Sequence, residues 1–478
     1  MPSRFRSARG RLRFRLPPAW RATFRDPRAR SSVLRTVGLT PGSVPLVTNE
    51  IHGHPLVATI EAVTIWSVNA YCQTKSLKLT SNLVTRALDG LFVLDLGQIY
   101  NGSYCGVLLS YLGAEVVKVE SPAGDPTRWR VVGRETHPFV MLNSNKKGVR
   151  LDLKTERGKD LFLRLVERAD VLVENFAPGT MQRLGLGYPE LERVNPRLVY
   201  ASGKGYGSTG PHRDYPAMDL TIQAMTAVMA TTGFDGHPPV KAGIAPADFM
   251  GGVHLAASVL AALYQRERTG RGQLVEVSMQ DALLPSLTSA LGGYFESGGT
   301  LPEQTGNRHN GLSVCPYNVY PAKDGWIAIL CMTDRHWQAL CRLMGRADLA
   351  DDPELATTPG RCAQMDMIDE VVGDWTRPQT KADLFQLVTG AHIPAAPLVH
   401  LTELVADPHL RERGMLRDVD HPTMGRVTVY GNPLRLGDSE PVEPRAAPLH
   451  GEHTDEVLRE HLGLPDEELR RLHEEGVI

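Results

Sequence analysis

Strand-like and helix-like segments alternate along the first half of the chain, beginning at residue 91. LFVLDLG (91–97) is a short, nearly continuous apolar run, SYCGVLLSYLG (103–113) has helical spacing, and AEVVKVE (114–120) is strand-like again. The alternation continues to the glycine-rich GKGYG (203–207). Strands that alternate with helices form a mostly parallel sheet whose faces are covered. The sequence therefore predicts an α/β fold with a Rossmann-like large domain.

The pattern changes twice, which predicts three regions. Residues 1–86 are rich in Arg and weakly patterned, so we treat them as an N-terminal extension. Residues 87–300 form the predicted large domain, which ends at a loop-like stretch around 296–316. Short β segments and helices over 301–425 predict a smaller α+β domain, and residues 426–478 complete the large one.

The N-terminal extension has two interpretations. Residues 1–35 contain many arginines and one acid, Asp26, which is typical of organelle transit peptides. Two prolines at 17 and 18 interrupt the amphipathic helix that such a peptide needs. The segment is therefore either a targeting peptide, which would make the protein mitochondrial, or a disordered or artefactual extension of a cytoplasmic protein.

Composition and motifs exclude several classes of function. The formal net charge is -2, which favours neither nucleic acid nor an anionic membrane, and the apolar runs are broken before the roughly 18 residues of a membrane span. The six cysteines lack a C-x-x-C pair, which argues against a zinc ribbon or a disulfide framework and fits a reducing compartment. We expect a soluble protein without nucleic-acid or membrane partners.

Cofactor and hydrolase motifs are missing too. The first β-to-α turn reads GQIYNGSYCG, without the G-x-G-x-x-G spacing that lets backbone approach a dinucleotide. The histidines form no H-E-x-x-H motif, and no G-x-S-x-G follows a strand. We therefore expect neither a bound NAD, nor a metal centre, nor a serine hydrolase.

Basic and amide side chains are concentrated near the predicted strand ends. NSNKK (143–147), ENFAPGTMQR (174–183) and GKGYG (203–207) supply lysines, an arginine and an asparagine. Ligands of parallel sheets bind at the carboxyl ends of the strands. Any one of these cations is usually just solvated, but together they favour an anionic, nucleotide-like ligand. The candidate phosphate and amide partners are Lys146, Lys147, Arg183, Lys204 and Asn175.

An isolated acid, Asp248, lies in the uncharged stretch GIAPADFMGGVH (243–254). Short acids that precede apolar runs are often helix N-caps, so Asp248 could serve only to begin the following helix. The alternative is that its carboxylate is a nucleophile. The local pattern alone favours the cap.

Several separate motifs, in order, resemble the family III CoA-transferases, which include formyl-CoA transferase and carnitine CoA-transferase. They cover the chain from about residue 87 to residue 478, and they are VLDLGQIYNGSYCGVLLSYLGAEVVKVESPAGD, LNSNKKGVRLDL, DVLVENFAPG, DFMGGVH, ERTGRGQLVEVSMQDALL and GEHTDEVL. The resemblance implies an enzyme that moves CoA from an acyl-CoA thioester to a free carboxylic acid. It also implies a homodimer of interlaced chains, with CoA as a substrate and no permanently bound cofactor.

The resemblance assigns roles to particular residues. Asp248 matches the nucleophile, which would form an aspartyl anhydride and then an aspartyl-CoA thioester. Gly251 and Gly252 would leave space for acyl groups beside it. The matched CoA-binding positions are Tyr100, Asn101, Asn145, Lys146, Asn175, Phe176 and Arg183, to which the strand-end Lys204 is added.

The chain departs from formyl-CoA transferase in one loop. That enzyme shields its intermediate with a glycine-rich loop, whereas this chain has TGNRHNG (305–311) in the same region. Asn307 and His309 are therefore candidate lid or substrate residues. Formyl or oxalyl specificity does not follow from the resemblance, and succinyl-CoA as donor and small dicarboxylates or carnitine-like acids as acceptors stay open.

A related activity is the main alternative. The α-methylacyl-CoA racemases share the fold and place a His, as an acid/base partner, before the Asp of a G-H-D-I-N-Y motif. This chain reads YPAMDLTIQA, with Met218 at that position. A thioether cannot transfer a proton, and His212 lies six residues earlier. The sequence therefore favours the transferase over the racemase.

Overall fold

The structure is a computed structural model that describes residues 86–478 and, nearer the N-terminus, the backbone of the short strands β1 (Asn49–Ile51) and β2 (His54–Leu56), which pair in antiparallel fashion. The chain divides into two units, Met1–Leu83 and Val84–Ile478, and each is considered by itself. The two interpretations of residues 1–35, and Cys72, lie outside the described residues.

A six-stranded parallel sheet forms the centre of the second unit, in the order β5-β4-β3-β6-β7-β8. This confirms the α/β prediction. The strands are β3 (Phe92–Asp95), β4 (Glu115–Glu120), β5 (Lys147–Arg150), β6 (Val171–Glu174), β7 (Val199–Lys204) and β8 (Leu274–Ser278).

Helices cover the sheet and connect its strands. They are α1 (Asn101–Tyr111), α2 (His137–Asn143), α3 (Glu156–Val166), α4 (Thr180–Arg183), α5 (Tyr188–Val194), α6 (Asp219–Met225), α7 (Val228–Thr231), α8 (Pro246–Thr269), α9 (Met279–Leu283) and α10 (Thr288–Ser297), with a 3-10 turn at Leu284–Leu287.

Side chains alternate between the two faces of each strand, so the sheet has a core on each side. Leu94 and Leu172 belong to the first core, with residues of α3, α5 and the C-terminal segment 457–478. Val93 and Val173 belong to the second core, with residues of α1 and α8. The sheet is therefore covered on both faces, as its apolar strands predict.

The burial predicted for helix α8 is wrong in part. The sequence predicts that it is buried nearly all round, but only the face that contacts the second core is buried, whereas Val253 and Tyr264 are exposed. By length and composition alone it is also the one helix in residues 86–478 that could cross a membrane. In the structure it packs against α1, β7 and β8.

A third core lies in the following antiparallel region, where β9 (Tyr317–Ala322), β10 (Gly325–Leu330) and β11 (Ala395–Pro397) pack on helices. The helices of this region are α11 (Asp334–Met344), α12 (Ala347–Ala350), α13 (Thr358–Ala363), α14 (Met365–Thr376), α15 (Lys381–Gly390), α16 (Leu401–Leu404) and α17 (Pro408–Glu412).

The last elements are a hairpin and two helices. The strands β12 (Leu416–His421) and β13 (Gly425–Tyr430) pair with each other, and the hairpin packs on α2. The helices α18 (Thr454–Leu462) and α19 (Asp466–Glu474) return to the first core. The domain boundaries at 300 and 425 stay predictions, and the second one falls after the first residue of β13, within the paired hairpin.

Candidate active site

Asp248 lies in the first turn of α8 and is 9% exposed. The helix begins after Ala245 with Pro246 at its first position, so Asp248 is its third residue and not its N-cap. The cap interpretation is therefore wrong. Because Asp248 has no capping role, its carboxylate is free for another one.

The cap is supplied from elsewhere by Asp219, the first residue of α6. Its Oδ1 accepts hydrogen bonds from the backbone N–H of Ala247 (2.9 Å) and of Asp248 (3.3 Å). Its Oδ2 accepts one from Gln223 Nε2 at 2.6 Å. A carboxylate beside free N–H groups at a helix start is stabilising. Since these N–H groups are used by Asp219, they are not free to stabilise charge on a reaction intermediate.

Sequence reasoning missed Asp219, although a signal was present. The signal is the acid Asp219, directly after position 218, with Gln223 one helical turn later. Met218 itself is the N-cap residue of α6 and is half exposed. The ring of His212, the histidine nearest to Met218 in sequence, contacts the rings of Tyr206 and Tyr215.

The carboxyl of Asp248 has an altered acidity. Burial, and secondarily the negative charge of Asp219, raises its pKa to about 7. No described Lys or Arg forms an ion pair with it. An unpaired carboxylate that is half ionised near neutral pH can both attack a carbonyl carbon and leave again.

This pKa gives a prediction about pH. An Asp with a raised pKa is neutral below it and ionised above it, so kcat/KM should rise with pH through about 7 and level off. In Asp219→Asn the amide oxygen can still accept the capping hydrogen bonds, but the negative charge beside Asp248 is lost. The midpoint of the pH profile should therefore move to lower pH. Asp219→Ala removes both and should also lower thermal stability. Initial rates across the pH range, with the acyl-CoA and acid substrates that the resemblance implies, measure this, and an unchanged midpoint in Asp219→Asn would contradict it.

The glycine pair after Asp248 allows α8 to approach α1 closely. A Cβ added to Gly251 would lie 2.2 Å from Asn101 Nδ2, and one added to Gly252 would lie 2.7 Å from the Asn101 carbonyl oxygen. Tyr104 also lies against Gly252. The space that the sequence analysis assigned to acyl groups is therefore filled by the neighbouring helix. The pair serves packing, which fixes the position of Asp248.

A Gly251→Ala variant should show the cost of filling this space. Overpacking of a tight contact costs about 1–3 kcal/mol, because the added methyl group would displace Asn101. Gly292→Ala, in helix α10 with nothing within 4 Å of its added Cβ, is the matched control and should be neutral or stabilising. Urea denaturation compares the two. Equal stability of the variants would mean that the helices can separate without cost.

Two predicted CoA-binding residues lie close to Asp248. Asn101 is 2% exposed, and its Nδ2 lies 3.5 Å from the Asp248 carbonyl oxygen. The ring of Tyr100 lies 6.0 Å from that of Phe249, which also meets Tyr104 edge to face at 4.9 Å. These rings cover one side of the first turn of α8, where they can exclude water from a reactive carboxyl derivative.

Three further predicted residues do lie at the carboxyl ends of strands. Asn175 follows β6 and joins the loop after β3, because its side chain exchanges hydrogen bonds of 2.7 and 2.9 Å with the backbone of Gln98. Phe176 packs against the first core. Lys204 ends β7 and pairs with Glu174 at 2.8 Å, beside a cavity of about 390 Å³. Its charge is therefore already compensated.

Asn145 and Lys146 are placed differently from the prediction. They precede β5, so they lie at its amino end. Lys146 is buried, and its Nζ contacts Asp95 Oδ2 at 2.7 Å and the Ser103 carbonyl oxygen at 2.9 Å. Burial lowers its pKa to about 8. Asn145 accepts a hydrogen bond from the Arg445 N–H at 2.6 Å. Both residues hold neighbouring segments together, and their assignment to CoA stays a prediction.

Arg183 and the segment 305–311 complete the predicted set. Arg183 is exposed and donates to Thr180 Oγ1 at 2.9 Å, without an acid partner among the described residues. Arg308 anchors the segment to α14 through Asp369 at 2.7 Å. His309 contacts the ring of Tyr317, and the neighbouring Asn307 is exposed. Their assignment as lid residues stays a prediction.

One group of side chains has the geometry of a metal site among the described residues. It consists of Glu115, Glu460 and His461. The ammonium group of Lys147 lies 2.8 Å from Glu115 and 3.0 Å from Glu460. Because a lysine already supplies the positive charge between these acids, the group is an ion-pair network. The sequence assigned Lys147 to a phosphate, and the structure pairs it with acids instead.

Comparisons with known proteins point to one family. The model of the CoA-transferase family III matches residues 88–454. The formyl-CoA:oxalate CoA-transferase of Streptomyces avermitilis is 38% identical over 411 residues, which cover 83% of this chain and 100% of that protein. The succinyl-CoA:mesaconate CoA-transferase of Haloarcula hispanica is 39% identical over 393 residues, covering 78% and 96%. A CAIB/BAIF family protein from Brucella suis has a similar structure, with a TM-score of 0.70, 33% identity and coverage of 79% and 100%.

Proposed function

Because the chain belongs to the CoA-transferase family III, we propose that this enzyme moves CoA from an acyl-CoA thioester to a small free carboxylic acid, with Asp248 as the covalent carrier. The observation that carries the proposal is the buried carboxyl of Asp248, which has no cation partner among the described residues and a pKa of about 7. A carboxylate of this kind is a competent nucleophile toward a thioester.

The proposed reaction begins with attack of an Asp248 oxygen on the donor's thioester carbon. The carbon–sulfur bond breaks, the CoA thiolate leaves, and an aspartyl-acyl anhydride forms. The thiolate then attacks the aspartyl carbonyl carbon, which releases the donor acid as a carboxylate and leaves an aspartyl-CoA thioester. The acceptor carboxylate repeats both steps in reverse. No proton is consumed, and the thioester bond energy is retained provided that water is excluded.

The rings around Asp248 support the exclusion of water. Tyr100 and Tyr104 each lie near the ring of Phe249 at the first turn of α8. The glycine contacts of α8 with α1 hold the backbone in place, and the Asp219 cap fixes the turn. Positioning of this sort accounts for much of the rate gain in covalent catalysis.

The relatives suggest the first acids to test. One is named for formyl-CoA and oxalate, and another for succinyl-CoA and mesaconate. We infer that the acceptor is a small mono- or dicarboxylic acid. The test combines formyl-CoA, succinyl-CoA and other donors with oxalate, mesaconate and related acids, and it detects the new acyl-CoA by mass spectrometry. Lack of transfer with every pair would count against the proposal.

The racemase alternative has a separate test. Met218 stands where a racemase would need an acid/base side chain. The enzyme should therefore leave the configuration of a 2-methylacyl-CoA unchanged when no acceptor is present. Racemisation with incorporation of solvent deuterium under those conditions would favour the alternative.

We also propose that the enzyme is a homodimer. Support comes from large apolar side chains that the single chain leaves exposed on and after α8, where Tyr264 is 64% and Phe295 is 74% exposed. Light scattering should give twice the mass of the chain. A monomer at micromolar concentration would contradict the proposal.

A further inference from the structure

The cations in and beside the parallel sheet are almost all paired with acids. Lys118 contacts Asp125 at 3.0 Å, and Arg128 contacts Glu120 at 2.6 Å. Lys146, Lys147 and Lys204 have the acid partners described above. Paired cations have little attraction left for an anionic ligand, so the cations that the sequence analysis assigned to phosphate are mostly excluded from that role.

Arg150 is an exception. It is the last residue of β5, in register with Glu120 at the end of β4, and so it lies at the carboxyl edge of the sheet. Glu120 is fully engaged by Arg128. No residue in the range 86–478 accepts a hydrogen bond from the Arg150 guanidinium, and its Nε is buried without a partner. A buried donor without an acceptor costs free energy that a bound acceptor would recover.

The surroundings hold the Arg150 side chain at this edge. Its backbone N–H donates to Thr454 Oγ1 at 3.0 Å. Its Cβ lies against the turn at Gly451, where an added Cβ would be 3.1 Å away and where φ is +74°. His450, in the same turn, contacts the carbonyl oxygen of Ser121 at 3.0 Å. The stem of Arg150 is therefore fixed between β5 and the C-terminal segment, while its charge has no acid partner within residues 86–478.

We propose that Arg150 binds a phosphate group of the CoA nucleotide. The inference rests on the proposed function, because CoA is the phosphate-bearing reactant of that reaction. Ligands of parallel sheets bind outside the carboxyl ends of the strands, and a guanidinium binds phosphate through two parallel hydrogen bonds. Arg183, which also lacks an acid partner among the described residues, follows β6, which β4 and β3 separate from β5 in the sheet. In the sequence, Arg150 lies inside the strand-like run VRLDL, where nothing local marks it as a ligand residue.

The test compares Arg150→Gln with the unaltered enzyme on three donors: an acyl-CoA, its 3′-dephospho form, and the acyl-pantetheine that lacks all phosphates. A charged hydrogen bond is worth about 1.5–3 kcal/mol, so KM for acyl-CoA should rise by about 10- to 100-fold with kcat little changed. The rise should disappear with acyl-pantetheine. If it disappears with the 3′-dephospho form as well, the contact is to the 3′-phosphate; if it persists there, the contact is to the diphosphate.

Two controls separate this role from a structural one. Arg342→Gln removes an exposed arginine from α11 and should leave KM unchanged. Arg150→Lys keeps the charge without the bidentate geometry and should raise KM less than Arg150→Gln does. A KM change below twofold with acyl-CoA, or an equal change with acyl-pantetheine, would overturn the inference.

A binding measurement separates this inference from the proposed function. Calorimetry of CoA and 3′-dephospho-CoA on Asp248→Ala needs no chemistry. Weaker CoA binding after Arg150→Gln is added would support the phosphate contact even if no transfer activity were found. If CoA binding were unchanged by Arg150→Gln while the enzyme still catalysed transfer, the role of Arg150 would be rejected and the proposed function would stand.

Discussion

Asp248→Ala should lower kcat/KM for CoA transfer by a factor on the order of 10⁴ or more, since loss of a covalent nucleophile removes the intermediate altogether. Asp248→Asn keeps the size of the side chain and should be equally inactive, because an amide is a poor nucleophile. Both variants should bind acyl-CoA. Rates of donor and acceptor exchange measure the loss, and trapping with hydroxylamine should modify Asp248 only in the unaltered enzyme.

Asp383→Ala provides the matched control for this experiment. Asp383 is the third residue of α15, the position that Asp248 holds in α8, but it is exposed. Its loss should leave kcat/KM within about twofold of the unaltered enzyme, as is usual for surface changes. Full transferase activity in Asp248→Ala would contradict the covalent proposal. It would favour direct transfer within a ternary complex of enzyme, donor and acceptor.

Arg128→Ala should cause the largest loss of stability. Arg128 is fully buried, it pairs with Glu120 and Glu135, and its guanidinium lies 3.8 Å from the ring centre of Phe139. Removing one partner leaves buried carboxylates uncompensated, which costs about 3–5 kcal/mol. The midpoint of urea unfolding and the melting temperature should both fall.

An exposed ion pair supplies the comparison for Arg128. Arg459 and Asp466 are 2.7 Å apart, with more than half of each side chain exposed. Arg459→Ala should therefore cost only about 0–1 kcal/mol. Equal stability of Arg128→Ala and Arg459→Ala would contradict this prediction. It would mean that water reaches Glu120 once the Arg128 side chain is removed.

The sequence predicted the sheet well, because its signals are local. Apolar runs at 91–97 and 114–120 contain β3 and β4, and the helical spacing at 103–113 covers most of α1, which begins at Asn101. The third region also follows its prediction, with paired strands from Tyr317 and helices from Asp334. Periodicity reports which faces are buried, and burial determines these elements.

The site was less predictable, because its partners are distant in sequence. Asp219 caps a helix that begins 27 residues later, and Lys146, just before β5, pairs with Asp95 at the end of β3. Nothing local distinguishes a lysine that meets a buried acid from one that meets a phosphate. Asp248 was found through a resemblance, whereas its pKa of about 7 depends on tertiary burial.

The first core joins strands from residue 92 onward with Val457, Leu458, Leu469 and Leu472. During synthesis, the helices that complete this face of the sheet emerge more than 350 residues after β3, because β3 ends at Asp95 and Val457 follows much later. Until then the nascent sheet has one apolar face uncovered, a condition that favours aggregation. We therefore expect slow maturation of this enzyme and a dependence on chaperones when it is made quickly.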